Sequence, residues 1–252
     1  MKFSQKSVQN KIFAIVIFYL IALSLRYLTN NTTLLENINS SFLKIVLQGV
    51  GPAIGALVAL KIFGLKSTYS LAGRLKPFLL SAFIFIIVPV VGFAIIGINE
   101  SKGLTITSNP FIASAKFSFY FIIYSILEEI GWRAFLQEQL SFLNKYVRIL
   151  VIATLWFIWH LNFTLTISNL LFFLILLFAS WGIGKIGDMT KSVLAVGAFH
   201  AFYNLMGIDN FPTNKKYIVL LTSSIIWIAY VIFYDRINKK FIYTKKVVNN
   251  GS

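Results

Sequence analysis

The sequence predicts an all-α, polytopic membrane helix bundle of about eight transmembrane helices, with both termini in the cytoplasm. Three observations carry this expectation. The chain is 58% hydrophobic and 12% charged, with a mean hydropathy of +0.79, whereas soluble domains carry about a quarter charged residues. Eight spans of roughly 20 residues use about 160 positions of the 252 available. The short loops that remain leave no room for a soluble domain, so residues 1–252 read as a single integral-membrane domain. The third observation is the placement of Lys and Arg. With the N-terminus inside, sixteen fall in the tails and even-numbered loops, against five in the outer loops and flanks (Arg26, Lys44, Lys102, Lys215 and Lys216). That is the cytoplasmic bias expected of a membrane protein with an even number of helices.

The candidate spans are about 12–28, 42–63, 77–98, 112–135, 147–164, 168–185, 193–207 and 217–234. Each is too long and too continuously apolar for a barrel strand, and a helix satisfies its own backbone in lipid. Lys2, Lys6 and Lys11 precede the first run. Ala22-Leu23-Ser24 is followed by bulky Leu25 and Arg26, a poor cleavage site, so the run reads as a retained helix rather than a signal peptide. Gly49, Gly51, Pro52 and Gly55 thin or kink the second span or admit a close neighbour. Pro77 suits a helix start. Leu136 to Tyr146 mixes apolar and polar residues, as expected of a helix extended beyond the bilayer or lying at its interface. Asp188 and Asp209 are expected in solvated loops, and Glu138 at the interface. Lys239, Lys240, Lys245 and Lys246 suit contact with anionic lipid.

The net charge of +15 does not point to nucleic acid, because the bases lie between apolar runs where topology accounts for them. The absence of cysteine excludes disulfides, thiolate metal sites and a Cys nucleophile. Abundant Ile, Lys and Asn fit an AT-rich bacterial source and hence a bacterial plasma membrane.

Polar residues inside apolar spans are costly and mark function or pairing. The fourth span contains Glu128, Glu129, Trp132 and Arg133. Glu129 and Arg133, four residues apart, share a helix face and can pair. Glu128 is rotated about 100° from Glu129, with Trp132 one turn below it. A carboxylate without a local base is the one left to take a proton from water. The only two histidines, His160 and His200, also fall in spans, and Asn204 lies one turn from His200. One buried His is ordinarily a core residue. Two His, an Asn and a Glu from three helices are together best satisfied by a common interior site.

Such a set can activate water and stabilise an oxyanion, as peptide or ester hydrolysis requires. Glu128 would act as the base. Asn204 and one or both histidines would face the developing charge, or a histidine would hold the water. Zinc is the rival explanation, because two His and one Glu match a catalytic shell. Glu128, His160 and His200 would then be the ligands. HExxH is absent and the histidines lie on different helices, so metal-independent water activation is preferred.

Glu128-Glu129-x-x-x-Arg133, then Trp156-x-x-x-His160, then His200-x-x-x-Asn204 resembles the CAAX protease and bacteriocin-processing (CPBP, or Abi) family of intramembrane endopeptidases, which includes the type II CAAX prenyl proteases. The motif core spans residues 112–207. The resemblance implies that Glu128 activates water, that His160, His200 and Asn204 complete the site, and that Glu129 and Arg133 support it. Trp132 and Trp156 would flank it. The family is commonly described as metalloproteases, and a glutamate mechanism without tightly bound metal is also argued for it. Two positions depart from the family pattern: Trp156 stands where Phe is usual, and Ala134 where Gly often follows the Arg. The resemblance further implies a membrane-associated peptide or protein substrate, and roles in bacteriocin immunity, peptide-signal maturation or CAAX-type processing. The competing readings are a non-catalytic immunity or scaffold protein that binds a bacteriocin or membrane partner, and a small transporter with a proton relay.

Overall fold

The structure is a computed structural model describing residues 5–82, 110–206, 218, 221–222 and 224–233. Among these residues every extended element is helical, and the only β pairing is an isolated bridge between Ser70 and Ser192. In chain order the helices are α1 (Gln5–Asn31), α2 (Ser41–Phe63), α3 (Leu75–Ala82), α4 (Pro110–Glu129), α5 (Lys145–Trp159), α6 (Ile167–Thr190), α7 (Val193–Met206) and α8 (Ser224–Phe233). A π-helical segment, Ile130–Gln137, continues α4.

Three of these helices contain stretches long and apolar enough to cross a bilayer: Ser7–Asn31, Ser41–Phe63 and Ile167–Thr190. The protein is therefore an integral membrane protein. Its outer faces agree, since Phe13, Leu20, Leu57, Ile62, Leu170 and Leu174 are exposed, the inverse of a soluble surface. The helices fall on the expected spans. Most of the third span (77–98), Asp209 and the four C-terminal lysines lie outside the described residues.

Local sequence sets the boundaries. The Ser40 hydroxyl accepts from the Leu43 amide to start α2, and Gly64 ends it in the left-handed region at φ 61°. Asn144 caps α5 and Thr166 caps α6 in the same way. Pro77 falls in the first turn of α3, where its missing N–H costs nothing.

Helices α1 and α2 pack through small residues. Ala14, Phe18 and Ala22 recur every fourth residue on α1 and are buried, and Gly51 and Gly55 of α2 lie against Ala22 and Phe18. A Cβ on Gly55 would come within 2.5 Å of the Phe18 carbonyl oxygen, and one on Gly51 within 2.9 Å of that of Ala22. The glycines thus admit a close neighbour. Helix α5 is tied to α1 by Trp159 Nε1 donating to the Ala22 carbonyl (3.0 Å) and Tyr19 Oη donating to that of Leu155 (2.9 Å).

Two expectations need correction. The fourth span is not α-helical to its end. Residues 131 to 137 are all buried, although an ordinary α-helix would bury one stripe. This segment is surrounded by α2, α5, α6 and α7, and the wider π turn distributes its side chains among them. The chain then closes with a 3₁₀ turn, Leu140–Phe142, before α5. Asp188, expected in a solvated loop, lies on α6 and pairs with Arg148 at 3.0 Å. Glu138 accepts from the Thr68 amide (2.9 Å) and hydroxyl, which fastens the α2–α3 loop to the end of the π segment.

Candidate active site

The fourth-span acids lie where α4 passes into the π segment, and both are buried: Glu128 is 1% exposed and Glu129 0%. They point to different neighbours, as helical rotation requires. Glu129 Oε2 is 3.2 Å from Arg133 Nε, the expected ion pair. Glu129 has a second partner that sequence spacing does not reveal, since its Oε1 lies 2.9 Å from His200 Nδ1 on α7. One carboxylate therefore bridges an arginine on its own helix and a histidine on another.

Glu128 faces the opposite side of the same imidazole. Its Oε2 is 3.9 Å from His200 Nε2, too far for a direct hydrogen bond. The same oxygen accepts from Trp156 Nε1 at 3.1 Å, while Oε1 has no hydrogen-bond partner. The two nitrogens of His200 are thus divided, Nδ1 lying against Glu129 and Nε2 facing Glu128.

Trp156 does more than flank the site. Its ring meets that of His200 edge-on at 4.9 Å and lies 6.5 Å from that of His160, and the Arg133 guanidinium sits 5.0 Å from it. Trp132 contacts Trp156 (6.1 Å), Trp159 (5.9 Å) and Phe18 (5.6 Å), an apolar wall behind the acids. His160 lies one residue past the last turn of α5, at its C-cap, not inside a continuing helix. Phe172 of α6 and Trp159 hold its ring edge-on at 4.8 and 5.2 Å.

Asn204 reaches the site through Ser125. Asn204 Nδ2 donates to the Ser125 hydroxyl at 3.1 Å, which connects α7 to the turn of α4 that precedes Glu128. Ser125 is fully buried and was not singled out in the sequence. Its only signal was its position one turn before the acids.

Arg26 was also missed, since the charge pattern counts it as an outer flank. It donates to the Gln48 carbonyl at 3.3 Å and stacks over Trp159 at 4.4 Å. Both its charge and that of Glu128 act on Tyr124, one turn before Glu128. The charge of Arg26 also acts on His160. The site therefore has a cation from α1 at its edge.

Among the described residues no group of three His, Asp or Glu side chains is disposed to hold one ion. Of the three residues that zinc would need, Glu128 and His200 face each other across 3.9 Å, while the ring neighbours of His160 are aromatic.

A comparison with curated proteins finds no match. Residues 110–206, from the start of α4 to the end of α7, match the family described as type II CAAX prenyl endopeptidase Rce1-like. This segment contains the two acids, both histidines and Asn204, and it is this part of the chain that is similar to the CAAX proteases.

Proposed function

We propose that the protein is an intramembrane endopeptidase in which Glu128 activates water to hydrolyse a peptide bond of a membrane-associated peptide or protein. The observation that carries this reading is the paired contact of His200, with Nδ1 against Glu129 and Nε2 facing Glu128 across 3.9 Å. Glu128 takes a proton from water, and the Nε2 lone pair of His200 holds that water by its other hydrogen. The hydroxide oxygen bonds to the scissile carbonyl carbon. Asn204 and His160 donate to the resulting oxyanion. As the C–N bond breaks, the proton held by Glu128 passes to the leaving nitrogen. No step in this scheme requires a metal.

The same proposal has eight transmembrane helices, both termini in the cytoplasm and the whole chain as one domain in a bacterial plasma membrane. Its physiological setting is bacteriocin immunity, peptide-signal maturation or CAAX-type processing. The test compares peptide ends in host membranes containing wild type or Glu128→Gln at matched protein levels. Loss of a defined set of cleavage products in the variant, with an unchanged melting temperature, supports the reading and names the substrates. Identical peptide ends, with any immunity phenotype intact, would overturn it in favour of a non-catalytic binding protein.

A further inference from the structure

A polar cavity lies between the start of α5 and the C-terminal half of α6, apart from the residues of the candidate active site. Its volume is about 190 Å³, and it is lined by three cations, Lys145, Arg148 and Lys185, but by only one carboxylate, Asp188. That carboxylate is already shared. Its Oδ2 takes Arg148 at 3.0 Å, and its Oδ1 takes Gln137 Nε2 at 3.0 Å and Lys191 Nζ at 3.6 Å. The cavity therefore has an excess of positive charge. A guanidinium has five N–H donors and an ammonium three, so Arg148 and Lys145 have donors to spare after these contacts.

The second observation is Ser180. It lines the cavity, is 1% exposed, and its hydroxyl has no hydrogen-bond partner. A helical serine commonly satisfies itself on the preceding turn, and a buried hydroxyl without a partner is costly. This hydroxyl is a donor waiting for an acceptor in a cationic cavity. Ile152 and Trp181 supply an apolar part of the lining. Beside the cavity, the exposed Val147 and Leu150 of the same helix face outward, where lipid would cover them.

We propose that this cavity binds a phosphate group, with Lys145 and Arg148 pairing with its charge and the Ser180 hydroxyl donating to one of its oxygens. The group is either the headgroup phosphate of an anionic phospholipid or free inorganic phosphate. Basic pockets between helices at a membrane interface suit such groups, and the apolar lining has a counterpart only in the lipid.

The test uses the full chain in nanodiscs of phosphatidylcholine with or without phosphatidylglycerol, followed by native mass spectrometry of the released protein. Wild type is expected to retain phosphatidylglycerol in preference to phosphatidylcholine. Lys145→Gln and Ser180→Ala should each weaken retention, by about fivefold for the lost charge, and Lys145→Arg should restore it. A parallel arm titrates inorganic phosphate into protein in phosphatidylcholine alone and follows ³¹P line broadening. Broadening with the same dependence on the variants, without lipid preference, supports the site and identifies free phosphate as its occupant. Equal retention of both lipids with no phosphate effect overturns the proposal. So does a phosphatidylglycerol preference that neither Lys145→Gln nor Ser180→Ala changes.

Discussion

Glu129 and His200, 71 residues apart in the chain, meet with Oε1 2.9 Å from Nδ1. The contact joins the end of α4 to the middle of α7 and gives His200 a fixed direction. Because the other oxygen of Glu129 is 3.2 Å from Arg133, the carboxylate keeps a compensating charge even when the imidazole is neutral. Glu129 is thus held between a histidine and an arginine, while Glu128, one residue earlier, is 3.9 Å from the other nitrogen of the same histidine.

Breaking the buried Glu129–Arg133 pair should be expensive. Both side chains are 0% exposed, and removing one partner of a buried pair leaves an uncompensated charge, at a cost of about 3–5 kcal/mol. Glu129→Gln and Arg133→Met are each expected to lower unfolding stability by that order in detergent. The double variant should lose less than the two singles added together, because no charge is then stranded. Strict additivity in the cycle would show that the two side chains are not coupled.

Trp156→Phe introduces the residue usual in the family that the chain resembles and tests what the indole contributes. Its Nε1 donates to Glu128 Oε2 at 3.1 Å, and phenylalanine has no donor. Hydrogen bonds to charged groups contribute about 1.5–3 kcal/mol, so a stability loss of that size is expected from equilibrium unfolding. A loss below half a kcal/mol, as roughly expected of a neutral substitution, would mean that the bond is not made in the membrane.

Ser125→Ala should leave the fold in place and lower the cleavage rate. The hydroxyl holds Asn204 at 3.1 Å, and in the proposed mechanism, where Asn204 faces the oxyanion, misplacing it costs up to about 100-fold in rate. The expected signature is a lower kcat with KM nearly unchanged, on a substrate identified by the Glu128→Gln comparison. Ser125→Thr, which keeps the hydroxyl, should recover most of the activity. If Ser125→Ala is as active as wild type, Asn204 does not depend on this anchor.

Gly55→Ala should separate α1 from α2. A Cβ there would sit 2.5 Å from the Phe18 carbonyl oxygen, and overpacking of this kind costs about 1–3 kcal/mol. Leu57→Ala, on the outward face of the same helix and 61% exposed, is the control. A lower melting temperature for Gly55→Ala than for Leu57→Ala is the expected order, and the reverse would refute the packing.

Much of the candidate site is legible in the sequence because its residues violate the solvent around them. Acids, an arginine and histidines stand out in apolar runs, and the four-residue spacing of Glu129 and Arg133 implies the ion pair that is found. Ser125 and Arg26 did not stand out. A serine is tolerated in any membrane helix, and Arg26, near the end of its helix, counts equally well as an outer flank in the charge pattern. Their partners, Asn204, Gln48 and Trp159, lie on other helices, which local spacing does not pair.

Composition and the length of the apolar runs dictate a helical membrane protein, because an unpaired backbone in lipid has no other way to satisfy its hydrogen bonds. Local capping residues then place the ends of α2, α5 and α6 within a few positions. What packing alone decided is which buried groups meet. The π segment forms where seven consecutive residues face protein on all sides. His200 divides its two nitrogens between adjacent acids, and Trp156 reaches Glu128. Those contacts join residues between 28 and 72 positions apart, and their distances are set by how closely small residues let the helices approach.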